Sequence, residues 1–277
     1  MKIFAILLLL LAVLWMTSIV WLYDKIRNTY LRLFQLEDRL REQEKQNISL
    51  SRIACVTEAR GRLQYCPSEL STHSQHGEEL YLWEAMHFQS SGVFVEVGAY
   101  NGNDLSNSYF FETIGWKCIL IEAHPELAEQ CKNNRSNPST INVHAAVSDS
   151  DGGKIQFSMV RGPNGVDTLS FVETPDYHLK RIMSEGGILD KTFVPTRTLA
   201  SILDEIGIAS VDCLTIDIEG GELKALKGAN LSKIRPKVIM IEDNYGGKNA
   251  ELNEFICSFG YRKINVIGCN IIYSINE

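Results

Sequence analysis

From residue 75 to the carboxyl terminus, strand-like runs and amphipathic stretches take turns, and this alternation restricts the fold more than any other feature. "GVFVEVG", "KCILIEA", "INVHAAV", "VDCLTIDIE" and "PKVIMIEDN" have strand character. "QHGEELYLWEAMHF" precedes them, and "DLSNSYFFETIG", "HPELAEQCKNNR", "TRTLASILDEIG", "GELKALKG" and "NAELNEFICSFG" place apolar residues at helical spacing between or after them. Strands separated by helices of these lengths predict an α/β fold, a Rossmann-like, mostly parallel sheet covered on both faces. "YRKINVIGCNIIYSI" reads as two strands joined at Gly268-Cys269-Asn270, a terminal hairpin that adds an antiparallel strand. "KIQFSMV" pairs outside the alternation. Such sheets bind ligands beyond the carboxyl ends of their strands.

Ahead of this domain, residues 3–23, "IFAILLLLLAVLWMTSIVWLY", carry no charge and reach the length of a membrane-crossing helix. Trp21 and Tyr23 make a poor cleavage site but a good interfacial anchor, so an uncleaved single-pass anchor over 1–23 is expected rather than a signal peptide. Only Lys2 and the amino terminus precede the run, whereas Lys25, Arg27, Arg32, Arg39 and Arg41 follow it. That bias favours a cytoplasmic catalytic side. An anchor, a stem and an enzyme in this order also suit the secretory pathway, so a lumenal side stays open. Residues 24–73 read as a juxtamembrane helical stem, with Ile26, Leu33 and Leu40 seven apart, followed by an irregular linker. Residues 74–277 form the catalytic domain. Of seven cysteines, Cys118 and Cys213 lie in strand-like runs where buried thiols are expected, and Cys55 and Cys66 could close a disulfide in an oxidising compartment. A net charge of -7 argues against a nucleic-acid partner.

The turn "FVEVGAYNGND", residues 94–104, is the first place to look for a ligand. A dinucleotide turn needs a second glycine where Tyr100 stands, and a Walker A loop needs Gly-Lys-Ser/Thr where Asn103-Asp104 stand. Neither phosphate-binding pattern fits. Glu96 instead precedes the turn and Glu122 ends the next strand; carboxylates there repel phosphate but accept hydrogen bonds from ribose hydroxyls and suit a cationic ligand. S-adenosylmethionine combines a ribose, an ammonium and a sulfonium without a phosphate. Glu96 and Glu122 as mere strand ends, with Gly98 bending the chain, is the plainer alternative.

"VDCLTIDIEGGELKALKG", residues 211–228, is more specific. An apolar strand delivers Asp217 and Glu219 to the ligand edge and passes through Gly220-Gly221 into a helix that starts at Glu222. Burying two carboxylates is costly unless they have partners. Glu222 suits the helix dipole, but that does not account for Asp217, which is placed for general-base work.

With "SQHGEE" (74–79), "FVEVGAYNGND" (94–104), "GWKCILIEAHP" (115–125), "TRTLASIL" (196–203) and "VDCLTIDIEGGELKALKG" (211–228) in this order, the chain from about residue 74 resembles the FkbM-type methyltransferases of the class I S-adenosylmethionine-dependent fold. The resemblance implies a seven-stranded sheet whose last strand is antiparallel. It implies that Glu96, Gly98, Tyr100 and Gly102 line the cofactor turn, that Glu122 holds the ribose, and that Ala146, Val147 and Ser148 border the adenine. Asp217 would face the methionine end and the acceptor, with Glu219 beside it. Glu96 stands where an Asp is common in the family. Members mostly methylate hydroxyls of sugars or secondary metabolites, which implies O-methyl transfer to a hydroxyl-bearing acceptor such as a sugar, glycan or glycolipid.

His178, in "DTLSFVETPDYHLKR", is a second candidate base beside Asp217, with an exposed surface histidine as the alternative. Its segment interrupts the alternation and suits an acceptor lid. His76 is read as closing the cofactor pocket and His124 as capping a helix. No metal site is assigned, although Asp217, Glu219, Glu242 and Asp243 could gather a divalent ion. A non-catalytic membrane-anchored module for binding or trafficking is the alternative function; a nicotinamide oxidoreductase lacks its glycines.

Overall fold

The computed structural model describes residues 72–162, 166–172, 176–243 and 249–275, together with scattered positions between 15 and 43. The chain divides into two compact units, Met1–Ser51 and Arg52–Glu277. In the first, the described positions are helical and exposed. Among the described residues no helix is long and apolar enough to cross a membrane. Most of the apolar run 3–23 lies outside them, as do Leu40, Cys55 and Cys66.

The second unit carries a seven-stranded sheet in the order β3-β2-β1-β7-β8-β10-β9. Its strands are β1 (Val93–Val97), β2 (Lys117–Glu122), β3 (Ile141–His144), β7 (Cys213–Ile216), β8 (Val238–Glu242), β9 (Tyr261–Ile267) and β10 (Asn270–Ile275). Pairing is parallel from β3 through β8, and β10 lies antiparallel between β8 and β9. The terminal hairpin therefore inserts its second strand into the sheet, as expected.

Alternation along the strands separates two cores. Val95, Ile119, Ile121, Ile239 and Ile241 face one side, with α5 (Leu199–Glu205), α6 (Glu222–Lys227), α7 (Leu231–Ile234) and α8 (Ala250–Ser258). Phe94, Cys118, Leu120, Val238 and Met240 face the other, with α1 (Glu78–Ala85) and α2 (Tyr109–Thr113). The same alternation turns Glu96, Glu122 and Glu242 toward this second side, at the carboxyl ends of their strands. Helix α3 (Pro125–Asn134) starts with Pro125 in its first turn, and the His124 ring accepts the Glu126 amide, so His124 is the expected cap.

The segment between the third and fourth strands of the main alternation builds a second sheet. β4 (Ala146–Val147) and β5 (Gly153–Arg161) flank β6 (Ile188–Arg197). "INVHAAV" is thus two strands, broken at Ala145 as the chain leaves one sheet for the other. "KIQFSMV" does pair outside the main sheet, with β6. The helix expected from residue 196 begins at Leu199, where the Thr198 side chain accepts the Ser201 amide. Between β5 and β6 stand a 3₁₀ turn (Val166–Leu169) and α4 (Asp176–Ser184).

Candidate active site

The glycine turn first serves the backbone. Gly98 has φ +85°, and a Cβ there would lie 1.6 Å from the Asp217 carbonyl oxygen. Only glycine lets the ends of β1 and β7 approach this closely. Gly102, at φ +76°, sits against Cys131 of α3 and packs the turn onto that helix instead of lining a cavity.

Glu96 differs from expectation. It borders the cavity described below, yet its carboxylate accepts the Ser106 hydroxyl at 2.9 Å, the Asn107 amide at 2.6 Å and the Ser108 hydroxyl at 2.5 Å. Arg135 Nη2 stands 3.8 Å from it, fully buried, and also donates to Ser106 and Ser108. The carboxylate therefore also shapes the 98–108 loop.

Glu122 ends β2 on the wall of the cavity described below. Oε2 accepts the Tyr100 amide at 2.9 Å and Oε1 the His124 amide at 2.7 Å, so each oxygen keeps lone-pair capacity for a hydroxyl donor. Burial pushes its pKa up to about 7 against those hydrogen bonds. Tyr100 donates its hydroxyl to Asp167 at 3.1 Å, and burial followed by Asp167 raises its pKa to about 12.

Asp217 follows a wholly buried β7 yet is itself exposed, because it opens into a cavity. The register Ile216↔Ile241 sets Asp217 beside Glu242. Poor solvation of the two carboxyl groups raises both pKa values, and at Glu242 the Asp217 charge adds to the effect, so the pair holds a proton well above the usual carboxylate range. Glu219 has a left-handed backbone, φ +55°. Glu222 opens α6, where its charge suits the dipole, and accepts the Gly220 amide at 2.8 Å.

His178 is not a surface histidine. It is 3% exposed, its Nε2 lies 3.1 Å from the Leu169 carbonyl, and its Nδ1 lies 3.5 Å from Glu219 Oε2. Ile182, one turn on, and Phe171 bury it. It meets the site through Glu219 and does not line the cavity. His76 does not line it either; its ring packs against Gly268.

The cavity has a volume of about 390 Å³, within the usual range for small-molecule sites. Glu96, Gly98, Tyr100, Glu122, Ala146, Val147, Ser148, Asp217 and Glu219 all border it. Sequence reasoning missed Asn107, Phe157, Asp167, Arg181 and Lys224, which border it too. Among the described residues five buried side-chain polar atoms lack a partner, and three of them, Asn107 Oδ1, Thr215 Oγ1 and Glu242 Oε2, belong to residues of this cavity. Native chains satisfy such atoms, so their clustering marks a ligand site. The donor set suits S-adenosylmethionine, with acceptor capacity at Glu122 for the ribose, the Ala146–Ser148 segment for the base, and acids at the β7 and β8 ends for the cationic part.

The methyltransferase FkbM domain family matches residues 96–263, more than half of the chain. No curated protein sequence matches. Solved structures resemble the chain at low identity. Precorrin-6y C5,15-methyltransferase from Geobacter metallireducens is 13% identical over 76% of this chain and 90% of its own, with a TM-score of 0.40. A methyltransferase from Geobacter sulfurreducens in complex with S-adenosylhomocysteine is 10% identical over 77% and 73%, with a TM-score of 0.36. Another such complex, from Thiobacillus denitrificans, is 12% identical over 78% and 73%, with a TM-score of 0.35. The sheet order, the acid-lined turn and the family match lead to one assignment: the chain belongs to the FkbM-domain methyltransferases, a family of S-adenosylmethionine-dependent enzymes.

Proposed function

We propose that this protein is a membrane-anchored O-methyltransferase acting on a hydroxyl of a sugar, glycan or glycolipid. The observation that carries the reading is Asp217, an accessible carboxylate in a cavity that also holds Glu122. S-adenosylmethionine, when bound, would supply an electrophilic methyl carbon for an aligned acceptor oxygen. Asp217 orients the acceptor hydroxyl and takes its proton; its raised pKa brings it toward the range where a base works near neutrality. Glu219 and the His178 ring behind it offer that proton a way out. Ile155, Phe157 and Val172 give the cavity an apolar wall that keeps water from competing. Gln75, Asn107, Asp167, Ser170 and Lys224 surround it with polar groups suited to a hydroxyl-rich acceptor.

The anchor reading rests on the charge-free run 3–23 and on Trp15, Met16, Ile19, Trp21, Leu22 and Tyr23, apolar side chains that all face outward. A bilayer would cover them, and the basic residues that follow favour a cytoplasmic catalytic side.

Calorimetry of the full-length protein with S-adenosylmethionine and S-adenosylhomocysteine, beside Glu122→Ala, is the first test. Micromolar-range binding is expected, weaker by roughly 10- to 100-fold in the variant through loss of charge-assisted hydrogen bonds. A methyl-transfer screen that starts with sugars then tests the acceptor, with Asp217→Asn as the inactive control. Folded protein that binds neither compound would make it a binding or trafficking module instead.

A further inference from the structure

We propose that Asp217, Glu219 and Glu242 form a binding site for a hard divalent cation of the Mg²⁺ or Mn²⁺ type. One oxygen from each of the three lies within 4.8 Å of the others. Hard cations hold oxygen ligands at roughly 2.0 to 2.6 Å, so two ligands of one ion stand at most about 4 to 5 Å apart, and this trio meets that limit. The placement follows from the sheet: β7 and β8 are neighbours, and their register brings residue 217 beside residue 242. The tight turn after β7 then returns Glu219 to the same place.

The second observation is Glu242 itself. The residue is 6% exposed, and its Oε2 has no hydrogen-bond partner although it borders the cavity. A buried polar oxygen without a partner is costly, and a cation that displaces the pair's proton removes that cost. The surrounding charge points the same way. Glu78, Glu96 and Glu222 add negative field at Asp217, and Glu219 and Glu222 add it at Glu242. Opposite them are Lys224 and Arg181 on the cavity wall and the His178 ring on Glu219. A lone cofactor ammonium leaves such a cluster still acidic, whereas a divalent ion balances it. Carboxylate-only ligation with open positions matches Mg²⁺ or Mn²⁺ rather than a thiolate- or imidazole-seeking metal.

What the ion does rests on the methyl-transfer reading; that it binds does not. With an acceptor oxygen as a further ligand, the ion would lower that hydroxyl's pKa. Asp217 would help hold the ion and would still be the nearby acid to receive the proton.

The test is a Mn²⁺ titration of the full-length protein followed by electron paramagnetic resonance, with Mg²⁺ as competitor and S-adenosylhomocysteine calorimetry on the same samples. One saturable Mn²⁺ per chain, displaced by Mg²⁺, is expected. Glu242→Gln and the half-buried Glu219→Gln should each weaken it at least about tenfold. Urea unfolding of both variants guards against misfolding. No Mn²⁺ uptake by wild type up to about 1 mM, the weak end of protein cation sites, overturns the proposal, as does wild-type Mn²⁺ affinity in a Glu242→Gln or Glu219→Gln protein that still unfolds cooperatively. Mn²⁺ uptake without cofactor binding would uphold the ion site and sink the methyl-transfer reading instead.

Discussion

Arg135→Met is the substitution most informative about how the cofactor turn is built. The guanidinium is fully buried at the end of α3 and ties together groups far apart in sequence. Nη1 pairs with Glu112 at 2.8 Å, and Nη2 donates to Ser106 at 2.7 Å and Ser108 at 2.8 Å. Nε donates to the Gly102 carbonyl, and the group lies 4.7 Å over the Tyr109 ring. Methionine keeps much of the stem's volume but removes the charge, leaving buried Glu96 and half-buried Glu112 without their cation. Breaking a buried pair from one side costs about 3–5 kcal/mol, a large share of the roughly 5–15 kcal/mol that holds a domain together.

The assay is urea unfolding of wild type, Arg135→Met, Glu96→Gln and the double variant. The single arginine variant should lose about 3–5 kcal/mol, and the double variant should lose at least about 1 kcal/mol less than the two singles added together. S-adenosylhomocysteine affinity should fall along with stability, because Gly102, Ser106 and Ser108 belong to the loop that frames the cavity. A loss below about 1 kcal/mol, or singles that simply add, would refute the reasoning: the ion pairs would then be incidental to a turn held by glycine geometry and packing.

Gly98→Ala should destabilise by about 2–5 kcal/mol in urea, through a left-handed φ and a Cβ driven into the Asp217 carbonyl, and unfolding at wild-type urea would show that the strand ends separate easily. Cofactor affinity, measured by calorimetry from pH 8 to 5.5, should weaken about tenfold per unit below about 7 as Glu122 takes up a proton, and Glu122→Gln should flatten the profile. Glu79 is buried beneath the His73 and Ser74 amides, and burial raises its pKa from 4.5 to about 7. Because the folded value is the higher one, its contribution is full below pH 4.5 and is lost as pH rises through 7, so Glu79→Gln should remove up to about 3 kcal/mol of that fall in a urea series.

The main sheet was legible because its strands are buried on both faces and interrupted by helices with clear stops. "VFVEV" and "KCILIE" can hardly be anything but central strands. β6 was not legible. Residues 188–197 are mostly exposed, carry Asp190 and Lys191 and contain Pro195, which argues against a central strand. The structure explains the proline: β4 pairs only with Thr196 and Arg197, so β6 is an edge at Pro195. The helix expected from residue 196 gave way there, because Thr198 marks its true start.

The site divides in the same way. Asp217 and Glu122 stood out because each ends an apolar strand, where a carboxylate must have a purpose. Glu96 ends an apolar strand too and borders the cavity, but its tie to Arg135 is not legible, because that arginine lies at the end of a helix on a stretch of otherwise exposed residues. No local pattern distinguishes an arginine that turns inward there from one that stays in water. His178 did leave a signal. It lies four residues before Ile182 and next to Leu179, on what becomes the apolar side of α4. A histidine on a buried stripe needs a polar partner on each nitrogen, and that requirement alone leads from residue 178 toward a carbonyl and an acid, the positions Leu169 and Glu219 fill. Glu242 is among the acids that could gather an ion on sequence alone, but its place beside Asp217 depends on the β7–β8 register, a pairing that no single stretch of sequence encodes.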